Sequence, residues 1–249
     1  MYLPPARGFT LVELLLVLVL SVFLMAGLVQ IVSAASSSFR LQENQAEVME
    51  NARHLMSTIG AMVRQSGFSP EPWNEEYPRL GLMEETADQV TSKTDRLVLR
   101  YWSDTNCFDN RNPVVDEVGQ PEFFIRESLL DLNSRSDLTH TCRYGPDDSA
   151  LVTQINHQGF IQNVESFQLL YGEDTSGDGT VNHWAKGGQW ASADGVLAVR
   201  IGFLLRSTDA VVEATPQTYS ILDQPYTASA DGRLRQMFVF TTVIRGNSQ

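Results

Sequence analysis

At 249 residues the chain has room for one sizeable domain beside one membrane helix, and it carries a net charge of −12 with only two lysines, Lys93 and Lys186. An acidic surface this short of lysine argues against a nucleic-acid-binding face. The sequence holds no His-Glu-x-x-His pattern, no Gly-x-Ser-x-Gly elbow, no Ser-x-x-Lys and no phosphate-binding glycine loop. Its four histidines, His54, His140, His157 and His183, stand at no metal-ligand spacing, so nothing recommends an enzyme.

The chain opens on Met1–Gly8 and then on Phe9–Val29, 21 almost wholly apolar residues interrupted by one carboxylate, Glu13. That length is enough for a helix to cross a bilayer. A charge inside such a segment costs roughly 2.5–3.5 kcal/mol at mid-bilayer and is a functional marker by default. A secretory signal with Arg7 as its base and Ser33-Ala34-Ala35 as its cleavage site is one reading. Its apolar core is longer than the usual run of about 7–15 residues and contains an acid. A plain anchor is a second reading, and it leaves Glu13 without a role.

The segment Gly8-Phe9-Thr10-Leu11-Val12-Glu13, followed by the long apolar run, resembles the type IV prepilin signature. The resemblance implies that prepilin peptidase cuts between Gly8 and Phe9 and that the new Phe9 amine is methylated. Glu13 would then stand one helical turn from that amine, where the helix dipole favours a carboxylate. It would pair with the amine of an adjoining subunit and so set assembly register. The leader holds only Arg7 as a base, a thin positive-inside signal.

No proline occurs between Pro5 and Pro70, so one helix is expected from Phe9 to about Gln65, about 85 Å long. Gly27 and the Ser33–Ser38 patch are its soft spots. Past the membrane the apolar pattern narrows to a stripe, Val48, Ala52, Leu55, Ile59 and Met62, joined by Met49, Met56 and Val63. Glu47, Glu50, Arg53 and Gln65 surround it, His54 belongs to the polar side, and Gly67 is the stop. Asn51-Ala52-Arg53 with Val63-Arg64-Gln65-Ser66-Gly67-Phe68 is similar to the helix end of PilW-type minor pilins.

Residues 69–85 form a proline-rich surface connection. Strands are expected over Arg96–Trp102, Glu122–Arg126, Leu151–Asn156, Glu165–Tyr171, Val196–Arg206 and Gln236–Ile244. Leu97-Leu99-Tyr101 and Phe167-Leu169-Tyr171 alternate as half-buried strands do, and Val196–Leu205 is dense enough to be covered on both faces. The polar stretch from Asp104 to Ser149 reads as long loops holding Cys107 and Cys142, and the remaining histidines are placed in loops. If the domain faces an oxidising compartment these cysteines form a disulfide worth about 3–4 kcal/mol; otherwise they are two thiols.

Asp174, Ser176, Asp178, Thr180 and Asn182, with Gly179 at the turn, follow the spacing of a calcium loop up to its last position. There Ala185 replaces the usual bidentate Glu, with Asp194 or Glu173 as substitutes; the alternative is an ion-free Asp-Gly turn. The strand Phe167–Tyr171 and this loop also resemble the PilW-type family. Trp184 and Trp190 bracket a glycine-rich stretch and are read as packing beneath the loop, or as a contact for another subunit or a surface ligand.

The fold expected is therefore α+β, a long N-terminal α-helix packed on an antiparallel β-sheet in the manner of type IV pilins. Its parts are a leader over 1–8, a membrane and assembly segment over 9–33, an amphipathic segment over 34–67 and a β domain over 68–249. The resemblance implies a minor pilin that primes and caps a type IV pilus, with other minor pilins, the major pilin, prepilin peptidase and inner-membrane lipid as partners. It also implies a single pass through the bacterial inner membrane, a periplasmic C-terminal domain and later residence in the pilus. A minor pseudopilin of type II secretion and a tip adhesin or calcium-dependent binding module are the alternatives.

Overall fold

The computed structural model describes residue 8 and residues 10–82, 86–88 and 94–246. Helix α1 runs from Leu11–Gln65 as one 55-residue rod. It passes Gly27 and the serine patch without a break, and Ser21 and Ser37 donate their hydroxyls to the carbonyls of Val17 and Ala34 (2.6 and 2.9 Å). A serine so bonded satisfies its hydroxyl on its own helix. The rod stops at Ser66, whose N–H donates to the carbonyls of Met62 and Val63, and Gly67 follows at φ 75°. That left-handed backbone is the conformation a glycine supplies at a helix end.

Ten strands follow. β1 (Leu97–Ser103), β2 (Phe124–Leu132), β3 (Leu138–Gly145) and β4 (Val152–Ile161) form one antiparallel sheet in that order. β5 (Val164–Glu173), β6 (His183–Ala185), β7 (Val196–Ala210) and β10 (Arg233–Val243) form a second, ordered β10-β7-β5-β6. β8 (Gln217–Ile221) and β9 (Gln224–Ala228) make a separate hairpin. The two sheets meet where the chain enters β1. There Asp95 N–H donates to the Phe167 carbonyl (2.8 Å), and the buried Asp95 carboxylate accepts from Leu169 N–H (2.7 Å).

The core lies between the helix stripe and both sheets. Val48, Ala52, Leu55, Ile59 and Val63 are closed to solvent and pack with Leu97, Leu99, Leu130, Phe167, Leu169, Val199, Ile201 and Phe203. Met62, expected in the stripe, sits at its flank half-buried, and Val63 takes its place, because the straight helix keeps a period of 3.6. Asn44 and Glu47 tie the far end of β7 to the helix: Asp209 N–H donates to Asn44 Oδ1 (3.2 Å) and Thr208 Oγ1 to Glu47 Oε1 (2.6 Å).

Three expectations are corrected, and one hairpin is added that the sequence did not announce. Residues 104–149 are not chiefly long loops, for they hold β2 and β3, and Cys142 stands in the middle of β3. That strand reads Leu-Thr-His-Thr-Cys-Arg-Tyr-Gly, and its polar members are accommodated because it is paired on both sides. β1 is buried at all seven residues, not half-buried. Residues 67–82 seal it: Arg100 N–H donates to the Gly81 carbonyl, Trp102 N–H to the Phe68 carbonyl and Trp102 Nε1 to the Pro78 carbonyl. His140, His157 and His183 lie on β3, β4 and β6 rather than in loops. Last, β8–β9 turns through Leu222 and Asp223, both at positive φ, with neither the Asn nor the Gly that announces such a hairpin. The hairpin caps β7 on the side away from the helix, and a Cβ on Gly202 would come within 2.8–2.9 Å of Ile221 and Leu222. Thus β7 is covered on both faces, as its density suggested.

Cys107 and Cys142 are joined by a disulfide across 35 residues, tying the loop after β1 to the third strand. Replacing both by serine is expected to lower the stability of the chain by about 3–4 kcal/mol, read as a shift of the denaturation midpoint in urea. Equal midpoints would show that the clasp carries no stability.

Candidate assembly surface

The N-terminus of α1 is built by a capping box. Thr10 Oγ1 accepts from Glu13 N–H, and Glu13 Oε2 in turn accepts from Thr10 N–H and Oγ1, each at 3.3 Å. Such a box satisfies orphan donors at a helix start. Gly8 is exposed, whereas Phe9, the proposed methylated residue, and Arg7 lie outside the described residues. From Leu11 to Phe39 the helix is bare, and Glu13 is the single charged side chain on it until Arg40. Its most apolar 18-residue window has a mean hydropathy of 2.8, and none of that window is buried within the chain. An all-round apolar helix with nothing covering it requires lipid or other helices as its surroundings.

The Asp-Gly loop after β5 is closed by its own donors. Asp174 Oδ1 accepts from Ser176 N–H, Ser176 Oγ and Gly177 N–H, and Oδ2 accepts from Gly179 N–H (2.7 Å). Asp178 Oδ1 takes the N–H and hydroxyl of Thr180, while Asn182 Oδ1 takes those of Thr175. Hydrogen bonds from Thr180 hold the Asp178 carboxyl below its ordinary range. Ala185 is buried in β6, and Glu173 accepts from the N–H groups of Ala191 and Ser192 and faces His183 at 3.4 Å. Among the described residues no three His, Cys, Asp or Glu side chains converge as a metal-holding group. The donor set matches a self-bonded turn more closely than the six to eight free oxygens that calcium takes.

The tryptophans beside this loop pack. Trp190 meets Tyr171 edge-on at 4.9 Å, and the Arg200 guanidinium lies 3.9 Å over the Trp184 ring. Sequence reasoning missed a polar group on the inner face of the first sheet, because its members are distant in sequence. His140 Nε2 lies 3.2 Å from Ser128 Oγ, and Arg126, which pairs with Asp109 at 2.9 Å, stands near by. Burial, and then the Arg126 charge, push the His140 imidazole down to about 4 from 6.5. The unfolded chain therefore binds the extra proton between those two values and the folded chain does not. Stability is fully present above pH 6.5 and falls as pH drops toward 4, by about 1–3 kcal/mol after allowance for solvent screening. His140→Gln is expected to remove that part of the acid slope in denaturation curves; an unchanged slope would assign it to other groups.

A 55-residue helix, bare at its start and docked on antiparallel sheets at its end, is a type IV pilin-like fold. The fold is similar to that of the type IV-like pilin TTHA1219 from Thermus thermophilus, with a TM-score of 0.53 at 15% identity, over 82% of this chain and 100% of that one. Residues 4–29 match the family described as the prokaryotic N-terminal methylation motif, and residues 141–246 match the type IV pilus-assembly protein W family, PilW. The C-terminal part of the chain is thus similar to PilW, and its N-terminal part to the methylation motif. No curated protein matches it.

Proposed function

We propose that this chain is a minor pilin that helps to prime type IV pilus assembly and caps the pilus together with other minor pilins. The observation that carries the reading is the uncovered apolar helix with a lone acid near its start, coupled to the methylation motif. In the proposed sequence of events residues 1–8 are removed by prepilin peptidase, and Phe9 becomes the methylated N-terminus. Residues 9–33 are held in the inner membrane and then bundle with neighbouring helices. The amphipathic segment 34–67 joins them to the domain 68–249, which faces the periplasm. The disulfide supports an oxidising side for that domain. Heterologous contacts between such subunits propagate a helical filament.

The test is mass spectrometry of the mature chain from the cell envelope. A first residue at Phe9 carrying a methylated amine is expected; a first residue near Ser36 would replace this reading with an ordinary signal peptide. Calcium is assigned no structural part. Titration to millimolar calcium is expected to leave Tm unchanged and to give no heat, and a gain of several degrees would instate the loop 174–182 as a calcium site.

A further inference from the structure

The two large sheets have four outer edges, and three of them are closed off. Along β1, residues 67–82 and 86–88 supply backbone partners, including Gly81 and Phe68 to Arg100 and Trp102 and a bridge between Ala87 and Arg96. β4 breaks register with β3 at three places, turns His157 to φ 44°, and reads Thr153-Gln154-Ile155-Asn156-His157-Gln158. β6 is three residues long. Bulges, polar residues and shortness are the devices by which folded proteins keep sheet edges from pairing.

β10 uses them only at its start, where Arg233 and Arg235 flank a break in register. After one break near Arg233 it pairs with β7 without interruption from Arg235 to Val243, and Gln236–Ile244 contains neither a charge nor a proline. It is the last strand of its sheet, and among the described residues its far edge meets no strand. Met237, Val239 and Val243 stand 42%, 47% and 55% exposed on the face away from the helix, while Phe238 and Phe240 face the core. A bare, straight, uncharged edge offers alternating N–H and C=O groups that only another extended chain can satisfy in series.

We infer that the outer edge of β10 is a docking site for an extended β-strand of a different subunit of the assembly, which adds to the sheet as a fifth strand. The partner strand carries apolar residues at alternate positions, to lie beside Met237, Val239 and Val243. A second copy of this chain fits less well. β10 starts opposite Ala210, in the region where Asn44 and Glu47 hold β7, and the chain reaches Gly67 at Gly246, so β10 and α1 run the same way. Antiparallel pairing of β10 with itself would point the two N-terminal helices in opposite directions, whereas helices seated in one membrane from one side are parallel. The inference rests on the chain being one subunit of a larger assembly, but not on any role of Glu13 or of methylation.

The test places a photo-reactive benzoylphenylalanine at Val239 of the full chain in its own cell envelope, with His54 on the exposed helix face as the control position. Irradiation is expected to give an adduct at 239 with a different protein, mapping to an extended segment. Met237→Lys with Val243→Lys, at unchanged Tm, is expected to lower that adduct about tenfold, the change that loss of a central interface contact gives. No adduct at 239 in the unsubstituted chain, an adduct only with a second copy, or an adduct indifferent to the lysines would overturn the assignment. An adduct at 239 from a chain whose first residue is near Ser36 would keep this site and discard the pilin processing, so the two readings fail separately.

Discussion

Glu13→Ala is expected to leave the chain cleaved, methylated and inserted in the membrane, while its incorporation into the assembly falls at least about tenfold. The carboxylate does two things that one substitution removes together. Within the chain it accepts from Thr10 N–H and Oγ1, a capping contribution of about 1 kcal/mol. Between chains it is the one anion on an otherwise apolar surface, and an unpaired charge in such surroundings is far more costly than a lost cap. Glu13→Gln separates the two. Glutamine keeps the acceptor for Thr10 but has no charge for a neighbouring amine. If pairing governs assembly, Gln behaves as Ala does; if capping governs it, Gln behaves as Glu. Immunoblots of sheared filaments against membrane fractions read the outcome, and normal incorporation of Glu13→Ala would end the register role.

The second large effect lies on the far face of the first sheet. Arg100, Glu127 and Arg143 stand side by side on β1, β2 and β3, with Glu127 Oε2 2.6 Å from Arg100 Nε and Oε1 3.2 Å from Arg143 Nη1. Arg100 also reaches Asp148 at 2.7 Å. The side chains of Glu127 and Arg100 are only 2% and 8% exposed. Removing one partner of a buried pair costs about 3–5 kcal/mol, since the other charge stays desolvated. Glu127→Ala is therefore expected to lower Tm by roughly 10 °C. Asp148→Ala removes a partner that is mostly in water and is expected to cost under about 1 kcal/mol. Calorimetry of both variants checks the contrast, and equal losses would show that burial does not set the cost.

Much of the fold was legible in local pattern. The helix end at Gln65 and its glycine stop followed from periodicity and one backbone preference. The six expected strands all formed, most of them longer than expected, because pairing recruits flanking residues that carry no strand signal themselves. β3 was not legible, since Thr139, His140, Thr141 and Arg143 advertise a loop until strands on both sides supply their backbone partners. The β8–β9 turn was hidden for a similar reason: Leu222 takes a positive φ while its side chain closes over Gly202. In the candidate assembly surface the N-terminal motif was readable because its residues are contiguous. The buried His140 group was not, because its members meet only across strands.

By itself the sequence determined the membrane-length helix, the lone acid near its start and the apolar stripe that seats it, because each is set by spacing within a few turns of one element. Only the tertiary structure decided that the cysteines meet, that Glu127 is buried between two arginines, and that three sheet edges are closed while β10 stays open. Those properties depend on which distant segment comes to lie alongside a strand. Local periodicity says which residues share a face, but it does not say what covers that face or which edge is left without a neighbour.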